Sequence, residues 1–264
     1  MQVTIGNDVE FILTGKKGPV SSIGIVGGTK SFPSPCDCGA LQEDNVLAEI
    51  NIHPAKTSSE WETNITTVIR ELKSRLPFGV VVSKKASAFY GPLELINPKA
   101  LEFGCDPDIN AWSQRVNKFK ELRGKMASLR SAGGHVHVGI SELTTDKRFE
   151  LIQCMDAFIG LQAVLLDKDT QRKELYGKAG AMRMKPYGVE WRVPSNFWVH
   201  SKYNRKWMFD AAMFCGITFS EVSHLYSKVD VVSIINKNDK RAALTELKRL
   251  HKQVQFPLHK ILGG

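Results

Sequence analysis

Four short segments of the chain place charged or metal-binding side chains at every second position. The four pairs are Asp8 and Glu10, Glu49 and Asn51, His135 and His137, and Glu190 and Arg192. Carboxylate oxygens are the ligands that Mg²⁺ prefers, an imidazole adds a nitrogen ligand, and a guanidinium binds phosphate. This combination is typical of a site that holds divalent cations together with phosphate groups.

Each pair lies in a segment whose alternate residues are apolar, as in a β-strand with one buried face. Around the first pair, the apolar residues are Val3, Ile5, Val9, Phe11 and Leu13. The same alternation runs through residues 46–52, 135–140 and 188–193. Successive side chains of a strand point to opposite faces, so each pair shares the face opposite the apolar residues. One such pair could be a solvent-exposed strand face. Four of this composition favour one sheet with a carboxylate-lined trough, where crowded carboxylates take up protons or bind metal.

Three neighbouring segments add to this interpretation. Residues 42–45 (Gln-Glu-Asp-Asn) offer a further carboxylate just before the strand that contains Glu49. Residues 131–134 end in two glycines, which would let a ligand approach the backbone closely. Residues 172–183 form a glycine-interrupted basic segment that suits a triphosphate. The alternative for this last segment is an ordinary solvated loop.

Helical periodicity predicts four helices in the remaining parts of the chain. The predicted helices are residues 59–76, 145–167, 203–226 and 239–253. We expect Ser59 to cap the first helix and Glu62 to complete a capping box. The last helix is basic and amphipathic, with Leu244, Leu247 and Leu250 as its apolar side.

The composition is that of an ordinary globular protein with an excess of basic residues. The formal net charge is +9, 42% of the residues are hydrophobic, and the five cysteines show no paired spacing. Neither a signal peptide nor an apolar run of about 18 residues, the length that spans a bilayer, is expected. These features favour a cytoplasmic protein with no membrane contact, and the excess positive charge favours an anionic partner.

Five sequence motifs, in the same order along the chain, resemble those of the phage-type COOH·NH2 ligases (type 2). They are Asp8-Val9-Glu10-Phe11, Gly27-Gly28-Thr29-Lys30, Gln42–Asn45 with Glu49-Ile50-Asn51, Gly133–Gly139, and Tyr187–Arg192. The resemblance covers roughly residues 1–200 and leaves the C-terminal quarter without a motif. It implies membership of the glutamine synthetase and glutamate–cysteine ligase superfamily. The expected fold is α+β, with a curved antiparallel sheet and helices on its convex face. We expect residues 1–264 to form a single domain with a helical C-terminal part, residues 199–264.

The resemblance also implies which side chains hold the cations, Mg²⁺ or Mn²⁺. One ion is assigned to Glu10, Glu43 and Glu49, and a second, bridging the ATP phosphates, to Asp8, His135 and Glu190. Position 8 is aspartate where glutamine synthetase itself has glutamate. The exact position of the second ion is therefore left open.

Phosphate contacts follow from the same resemblance. His137 corresponds to a histidine that touches the phosphates, and Arg192 to the arginine that stabilises the transferred phosphoryl group. Arg183 and Lys178 correspond to further phosphate contacts, while Arg172 and Lys30 are the other cations expected near the nucleotide. Among these residues, the expected catalytic groups are Arg192 and Arg183, together with Glu190.

The implied activity is ATP-dependent joining of a carboxylate to an amine through an acyl phosphate, which needs no cysteine nucleophile. The substrates would be small-molecule or peptide carboxylates and amines, in the cytoplasm of a host if the protein is encoded by a phage. The loops at residues 84–108 and 196–205 are the expected substrate walls, but their sequence does not identify the acid or the amine.

Two other functions compete with this interpretation. His135 and His137 followed by Glu142 mimic part of a cupin-type metal oxygenase, but Leu129 and Phe149 stand where that pattern has glycines. The basic C-terminal helix could belong to a non-enzymatic nucleic-acid or polyanion binder. However, no aromatic residues interleave with its charges and no nucleic-acid-binding module is recognisable.

Overall fold

The structure is a computed structural model of the chain that describes residues 2–100, 108–117 and 124–262. Its strands are β1 (Thr4–Phe11), β2 (Leu13–Gly15), β3 (Gly18–Val20), β4 (Ser34–Cys36), β5 (Gly39–Asp44), β6 (Leu47–Ile52), β7 (Val81–Val82), β8 (Ser87–Phe89), β9 (Ile109–Asn110), β10 (Arg115–Val116), β11 (Leu129–Ser131), β12 (Gly134–Gly139), β13 (Ala181–Lys185) and β14 (Gly188–Trp191). Its α-helices are α1 (Ser58–Arg75), α2 (Thr145–Met155), α3 (Leu161–Leu166), α4 (Arg172–Leu175), α5 (Lys202–Tyr226), α6 (Val231–Lys237) and α7 (Lys240–Gln253).

The largest element among the described residues is a nine-stranded sheet in the order β10-β9-β13-β14-β12-β1-β6-β5-β4. All of its neighbouring strands are antiparallel. The four strands predicted from the alternating pairs are adjacent at its centre, as β14-β12-β1-β6. The prediction of an α+β fold built on a large antiparallel sheet is confirmed.

The apolar face of this sheet packs against the helices and forms the main core. Val9 and Val136 of the sheet belong to one buried cluster with Trp61 of α1, Phe158 after α2 and Cys215 of α5. Burial of these faces places the opposite, polar face of the central strands away from the helices, because strand side chains alternate. The helical layer therefore supports the sheet from behind the polar residues.

The cap of the first helix lies two residues before the predicted one. Thr57, not Ser59, is the N-cap: its side chain accepts from the backbone N–H of Glu60, and the Glu60 carboxylate accepts from Thr57 N–H. The spacing of a capping box occurs twice here, and the second glutamate, Glu62, pairs with Arg205 of α5 instead. The prediction of Ser59 and Glu62 as the capping box is wrong for that reason.

Thr57→Ala should lower the free energy of unfolding by about 1 kcal/mol, the usual cost of losing a side-chain cap. Ser59→Ala is the matched control, since Ser59 is exposed within the helix and should leave stability unchanged or slightly raised. Denaturant unfolding of both variants checks this. Equal losses in the two variants would contradict the cap assignment.

Two other sequence predictions need adjustment, and one helix was not predicted. The segment 172–183 is not one loop, because Arg172–Leu175 is a helical turn and Ala181 begins β13. In α7 the buried residues are Ala243, Leu247 and Leu250, whereas Leu244 is 36% exposed. Helix α6 was not predicted.

The stretch Thr145–Leu166 is helical throughout and, by length and composition, could cross a membrane. The prediction that no apolar run reaches this length is therefore wrong. Of its most apolar window, 78% is buried inside the protein, which is the position of a core helix.

Candidate active site

The register of the central strands brings the four predicted pairs side by side. Across β1 and β6, Glu10 faces Glu49, and across β1 and β12, Asp8 faces His135. Across β12 and β14, His137 faces Glu190. Eight polar side chains from distant parts of the sequence thus meet on one face of one sheet, as the alternation predicted.

One group of carboxylates on this face consists of Glu10, Asp44 and Glu49. One oxygen from each lies within 4.8 Å of the others. Glu10 and Glu49 are only 6% and 5% exposed, and Glu10 Oε2 accepts from Gly133 N at 2.5 Å. Burial raises the pKa of all three groups, and the Asp44 charge raises that of Glu10 further. The three carboxylates are crowded together and have raised pKa values. A divalent cation bound between them would remove their mutual repulsion.

Glu43, predicted to join this group, points elsewhere. Its Oε1 accepts from the backbone N–H of Gly24 at 2.8 Å and of Gly27 at 3.1 Å. In β5, Gln42 faces Glu49, so period two puts Asp44 on the side of Gln42 and Glu43 on the other. The placement of Glu43 with Glu10 and Glu49 is wrong, and Asp44 takes its place.

Asp44→Asn should weaken Mn²⁺ binding by at least about 10-fold, because even outer-shell partners of metal ligands cost 10- to 100-fold. Glu43→Gln, one residue away, should change the affinity far less. Calorimetry or electron paramagnetic resonance with Mn²⁺ measures both. A larger loss in Glu43→Gln would show that the side-chain placement is reversed.

A second group, Asp8, His137 and Glu190, lies beside the first and also brings its ligand atoms within 4.8 Å. Asp8 Oδ2 is 3.1 Å from His137 Nε2, and the Tyr187 hydroxyl is 2.9 Å from His137 Nδ1. The Tyr187 hydroxyl contacts one nitrogen of His137, and the other nitrogen faces two carboxylates. Metal-binding histidines have this arrangement.

Glu190 is the most strongly paired carboxylate in the site. Arg192 Nη1 donates to its Oε1, Lys185 Nζ lies 2.7 Å from its Oε2, and Arg183 Nη1 lies 3.8 Å from its Oε1. Burial alone would raise the pKa of Glu190. The Arg192 charge, the largest of the opposing effects, outweighs burial and holds this pKa well below its usual range. Glu190 is therefore an anion surrounded by three cations at neutral pH.

His135, predicted as a ligand with Asp8 and Glu190, lies between two guanidinium groups. Its Nε2 is 3.4 Å from Arg172 Nη2 and its Nδ1 is 3.4 Å from Arg192 Nη1. Burial and then the Arg192 charge hold its pKa well below the usual range, so the ring is neutral. The ring is also 3.6 Å from Glu190 Oε1. The ligand atoms of His137, Asp8 and Glu190 lie within 4.8 Å of one another. His135 lies opposite Asp8 and beside Glu190, so its assignment as a ligand stays a prediction.

Arg192 is fixed by two carboxylates. Besides Glu190, its Nε lies 2.7 Å from Oδ1 of Asp108, which is 6% exposed. Asp108 was missed in the sequence, since it precedes the two-residue strand β9 and belongs to no alternating pattern. Arg183 faces Glu190 across β13 and β14. These contacts orient both predicted catalytic arginines on the polar face.

The three remaining predicted cations lie in three different places. Lys30 lines the site, next to Asp44. Arg172 is buried behind His135, where it also donates to the carbonyls of Ser131 and Arg192, so it supports the site from within the protein. Lys178 is exposed and does not line the clefts found among the described residues.

Gly133 and Gly134, at the start of β12, serve the packing of the protein itself. A Cβ on Gly133 would lie 2.3 Å from His135 Nε2, and one on Gly134 would lie 2.5 Å from Ser195 O and Trp198 Nε1. We predicted that these glycines leave room for a ligand. Instead, Gly133 leaves room for the imidazole of His135 and Gly134 for the indole of Trp198.

Three clefts follow one another along the polar face. The middle one, about 190 Å³, is lined by residues of both carboxylate groups together with Arg183 and Arg192. A larger one, about 470 Å³, shares Asp8 and Lys185 with it and adds apolar walls. The third, about 320 Å³, shares Lys30 and Asp44 with the middle cleft. Two outer clefts therefore adjoin the middle cleft, which is lined by the charged groups.

The structure bears on two further predicted features, a substrate wall and an oxygenase motif. Of the predicted substrate wall 84–108, residues 101–107 lie outside the described residues, while Lys99 lines the third cleft. Glu142, which would complete an oxygenase motif, is exposed in the turn after β12, away from both carboxylate groups.

Buried acids, an imidazole and arginines lie on one face of an antiparallel sheet, and these are the side-chain types that bind divalent cations and phosphate groups. The chain belongs to the phage phiEco32-like COOH·NH2 ligases of type 2, whose family model matches residues 115–256. The resemblance stated from the motifs is thus confirmed, but its extent is corrected. The match includes helices α5 to α7, which carry no motif, and begins after the strands that contain Asp8, Glu10 and Glu49.

Two solved structures are similar to the chain. One is a bifunctional glutathione synthetase from Pasteurella multocida, with a TM-score of 0.44, 12% identity, and coverage of 99% of this chain and 48% of that one. The other is a GmaS/ADP complex, with a TM-score of 0.45, 10% identity, and coverage of 94% and 64%. The chain therefore spans about half to two thirds of their lengths. A comparison with curated proteins gives no match.

Proposed function

We propose that residues 1–264 act as one domain that joins a carboxylate to an amine at the cost of ATP, with Mg²⁺ or Mn²⁺ as cofactor. The observation that supports this most is the adjacency of the two carboxylate groups, Glu10/Asp44/Glu49 and Asp8/His137/Glu190, beside Arg183 and Arg192. Membership of a COOH·NH2 ligase family supports the reaction class. The nucleotide, the cations and the acyl phosphate are the proposed part.

The donor set fits divalent cations. Five carboxylates and one imidazole converge within two groups, and burial raises the pKa of the first group, which is the environment of a hard-cation site. Bound there, the ions would neutralise charge on the phosphate oxygens and polarise the bond that breaks when the phosphoryl group is transferred. Arg192 and Arg183 add fixed positive charge beside Glu190, where an arginine can stabilise a transferring phosphoryl group.

The order of the clefts suggests where the substrates lie. The larger cleft has Ile52, Pro54 and Tyr187 on its walls and adjoins the Asp8/His137/Glu190 group, which suits a nucleotide with its phosphates inward. The third cleft, with Lys30 and Lys99, suits an acid that presents its carboxylate to the Glu10/Asp44/Glu49 side. The two would meet in the middle cleft.

The proposed chemistry has two steps. A carboxylate oxygen of the acid attacks the γ-phosphorus of ATP, the bond to the bridging oxygen of ADP breaks, and an acyl phosphate forms. The amine nitrogen then attacks the acyl carbon, phosphate leaves, and a nitrogen-bound proton is lost. The chain's contribution is orientation: Asp108 and Glu190 hold Arg192, and Arg183 lies across from Glu190.

Titration calorimetry with ATP tests the proposal. Binding should be measurable with Mg²⁺ and be lost in EDTA, because the acids of the polar face repel the phosphates unless cations intervene. Equal ATP affinity with and without divalent cations would refute the cofactor assignment. Tight, salt-sensitive binding of an oligonucleotide instead would favour the polyanion-binding alternative.

A further inference from the structure

Asp156 is a buried carboxylate in the helical layer, behind the sheet. It begins a π-turn, Asp156–Gly160, inside the otherwise α-helical stretch, and the N–H of Leu161 donates to its carbonyl. The side chain is fully buried. Trp112 Nε1 donates to it at 2.7 Å, Trp191 Nε1 at 2.8 Å, and Gly180 N at 2.6 Å. Three donors on one carboxylate are a strong, directional arrangement.

The three donors come from three different segments, and each segment carries a charged residue of the site. Trp191 ends β14 and stands between Glu190 and Arg192 in the sequence. Its indole lies on the face of the sheet opposite to the Glu190 side chain. One carboxylate therefore holds, from behind, the strand whose front face carries the tightest ion pair of the site.

The second segment leads into β13. Gly180 lies one residue before the strand that carries Arg183 and Lys185. Its φ of +78° is unfavourable for residues with a Cβ, and a Cβ there would lie 2.8 Å from Trp112 Cδ1. The backbone N–H of Gly180 is therefore held close to the indole of Trp112.

The third segment is the short strand β9. Trp112 follows it, and Asp108, the second partner of Arg192, precedes it. Asn110 between them links the second and third segments, since its side chain donates to Ala179 O at 2.9 Å. The segments that carry Asp108, Arg183 and Arg192 all converge on Asp156.

We propose that Asp156 is the positioning residue for the arginine side of the site: by binding Trp112, Trp191 and Gly180 at once, it sets Arg183 and Arg192 against Glu190. This inference rests on the proposed function, in which those arginines contact the transferred phosphoryl group. The Glu10/Asp44/Glu49 group is carried by β1, β5 and β6 and does not depend on it.

The charge state of Asp156 agrees with this role. Burial raises its pKa to about 6, against the lowering effect of the hydrogen bonds from Trp112 and Trp191. The group is therefore mainly a carboxylate at neutral pH and can accept from all three donors. In Asp156→Asn the amide has one accepting oxygen, and its NH₂ group faces a donor, so at least one of the three segments loses its partner.

The experiment compares affinities for MgADP alone and for MgADP with aluminium fluoride, a stand-in for the transferring phosphoryl group. In the wild type, aluminium fluoride should tighten binding. In Asp156→Asn we expect the affinity for MgADP with aluminium fluoride to fall by about 100-fold, the size of effect seen when one such stabilising group is lost. The affinity for MgADP alone should fall much less, and the affinity of the Glu10/Asp44/Glu49 group for Mn²⁺ should be unchanged, because that group is carried by other strands.

Two further variants separate positioning from general destabilisation. Trp112→Phe removes one donor but keeps an aromatic ring, and should give a smaller loss of about 10-fold. Gln162→Leu is the matched control. Gln162 is equally buried in the same helical layer, but its partners are Phe158 O, Trp207, Pro257 O and His259 N. It should cost stability and leave the aluminium fluoride effect intact.

The outcomes are separable. If Asp156→Asn and Trp112→Phe both keep the wild-type gain from aluminium fluoride, Asp156 has no positioning role. The same conclusion follows if Gln162→Leu loses as much. If the wild type itself binds no MgADP, or gains nothing from aluminium fluoride, the proposed function fails and this inference falls with it. If Asp156→Asn does not fold, the Trp112→Phe measurement decides.

Discussion

Glu190→Gln should weaken binding of MgADP with aluminium fluoride by about 1000-fold or more per folded molecule. The substitution removes the negative charge that pairs with Arg192 and Lys185 and that faces Arg183. It also removes a ligand from the Asp8/His137/Glu190 group. Losing one electrostatic stabiliser costs about 100- to 1000-fold, and the lost metal ligand adds to this.

Glu150→Gln is a suitable control for this variant, because Glu150 pairs with Lys147 on α2, outside the site. It should bind both forms of MgADP as the wild type does. Near-wild-type binding by Glu190→Gln would remove Glu190 from the site, whatever its position in the structure.

Arg192→Ala should lower the affinity for MgADP with aluminium fluoride by about 100- to 1000-fold and change the affinity for MgADP much less. In the proposed mechanism, Arg192 supplies positive charge when the phosphoryl group is transferred. Losing one such group typically costs about 100- to 1000-fold. Arg192→Lys should recover only part of the loss. A lysine keeps the charge but cannot contact Asp108 and Glu190 with the two edges of a guanidinium.

Arg205→Ala is the matched control for losing an arginine bound to a carboxylate. Arg205 binds both oxygens of Glu62 between α5 and α1, outside the site. It should reduce stability without changing the ratio of the two affinities. A fall in both affinities by the same factor in Arg192→Ala would mean that Arg192 holds the fold or the nucleotide, not the phosphoryl group.

Much of the site could be predicted from the sequence because strand alternation is a local rule. The period of two assigned Asp8, Glu10, Glu49, His137 and Glu190 to polar faces before any pairing of strands was known. It could not show that the four strands are neighbours. That depends on the sheet order, which joins strands as distant in the sequence as β1 and β12.

The sequence alone could not decide where a short range of it offers two equivalent candidates. Glu43 and Asp44 are adjacent carboxylates, and the register of β5 against β6 decides between them. His135 and His137 share one face, and only the positions of Arg172 and Arg192 show that the first is enclosed by cations. Alternation alone carries no information about either choice.

Asp108 and Asp156 could not have been found in the same way. Asp156 lies in a helix, and its three donors are separated from it by 24 to 44 residues in the sequence. A buried aspartate in an apolar helix predicts that some partners exist, since an unpaired buried carboxylate is costly. It does not predict which segments supply them.

The proposed function is tested most directly by the products formed from ATP. The purified protein with Mg²⁺ is screened against amino acids, polyamines, peptides and nucleotides, and the products are analysed by mass spectrometry. We expect ADP and phosphate, together with a product lighter than its two substrates by one water. Release of AMP and pyrophosphate with that product would contradict transfer of the γ-phosphoryl group and, with it, the role assigned to the two carboxylate groups and Arg192.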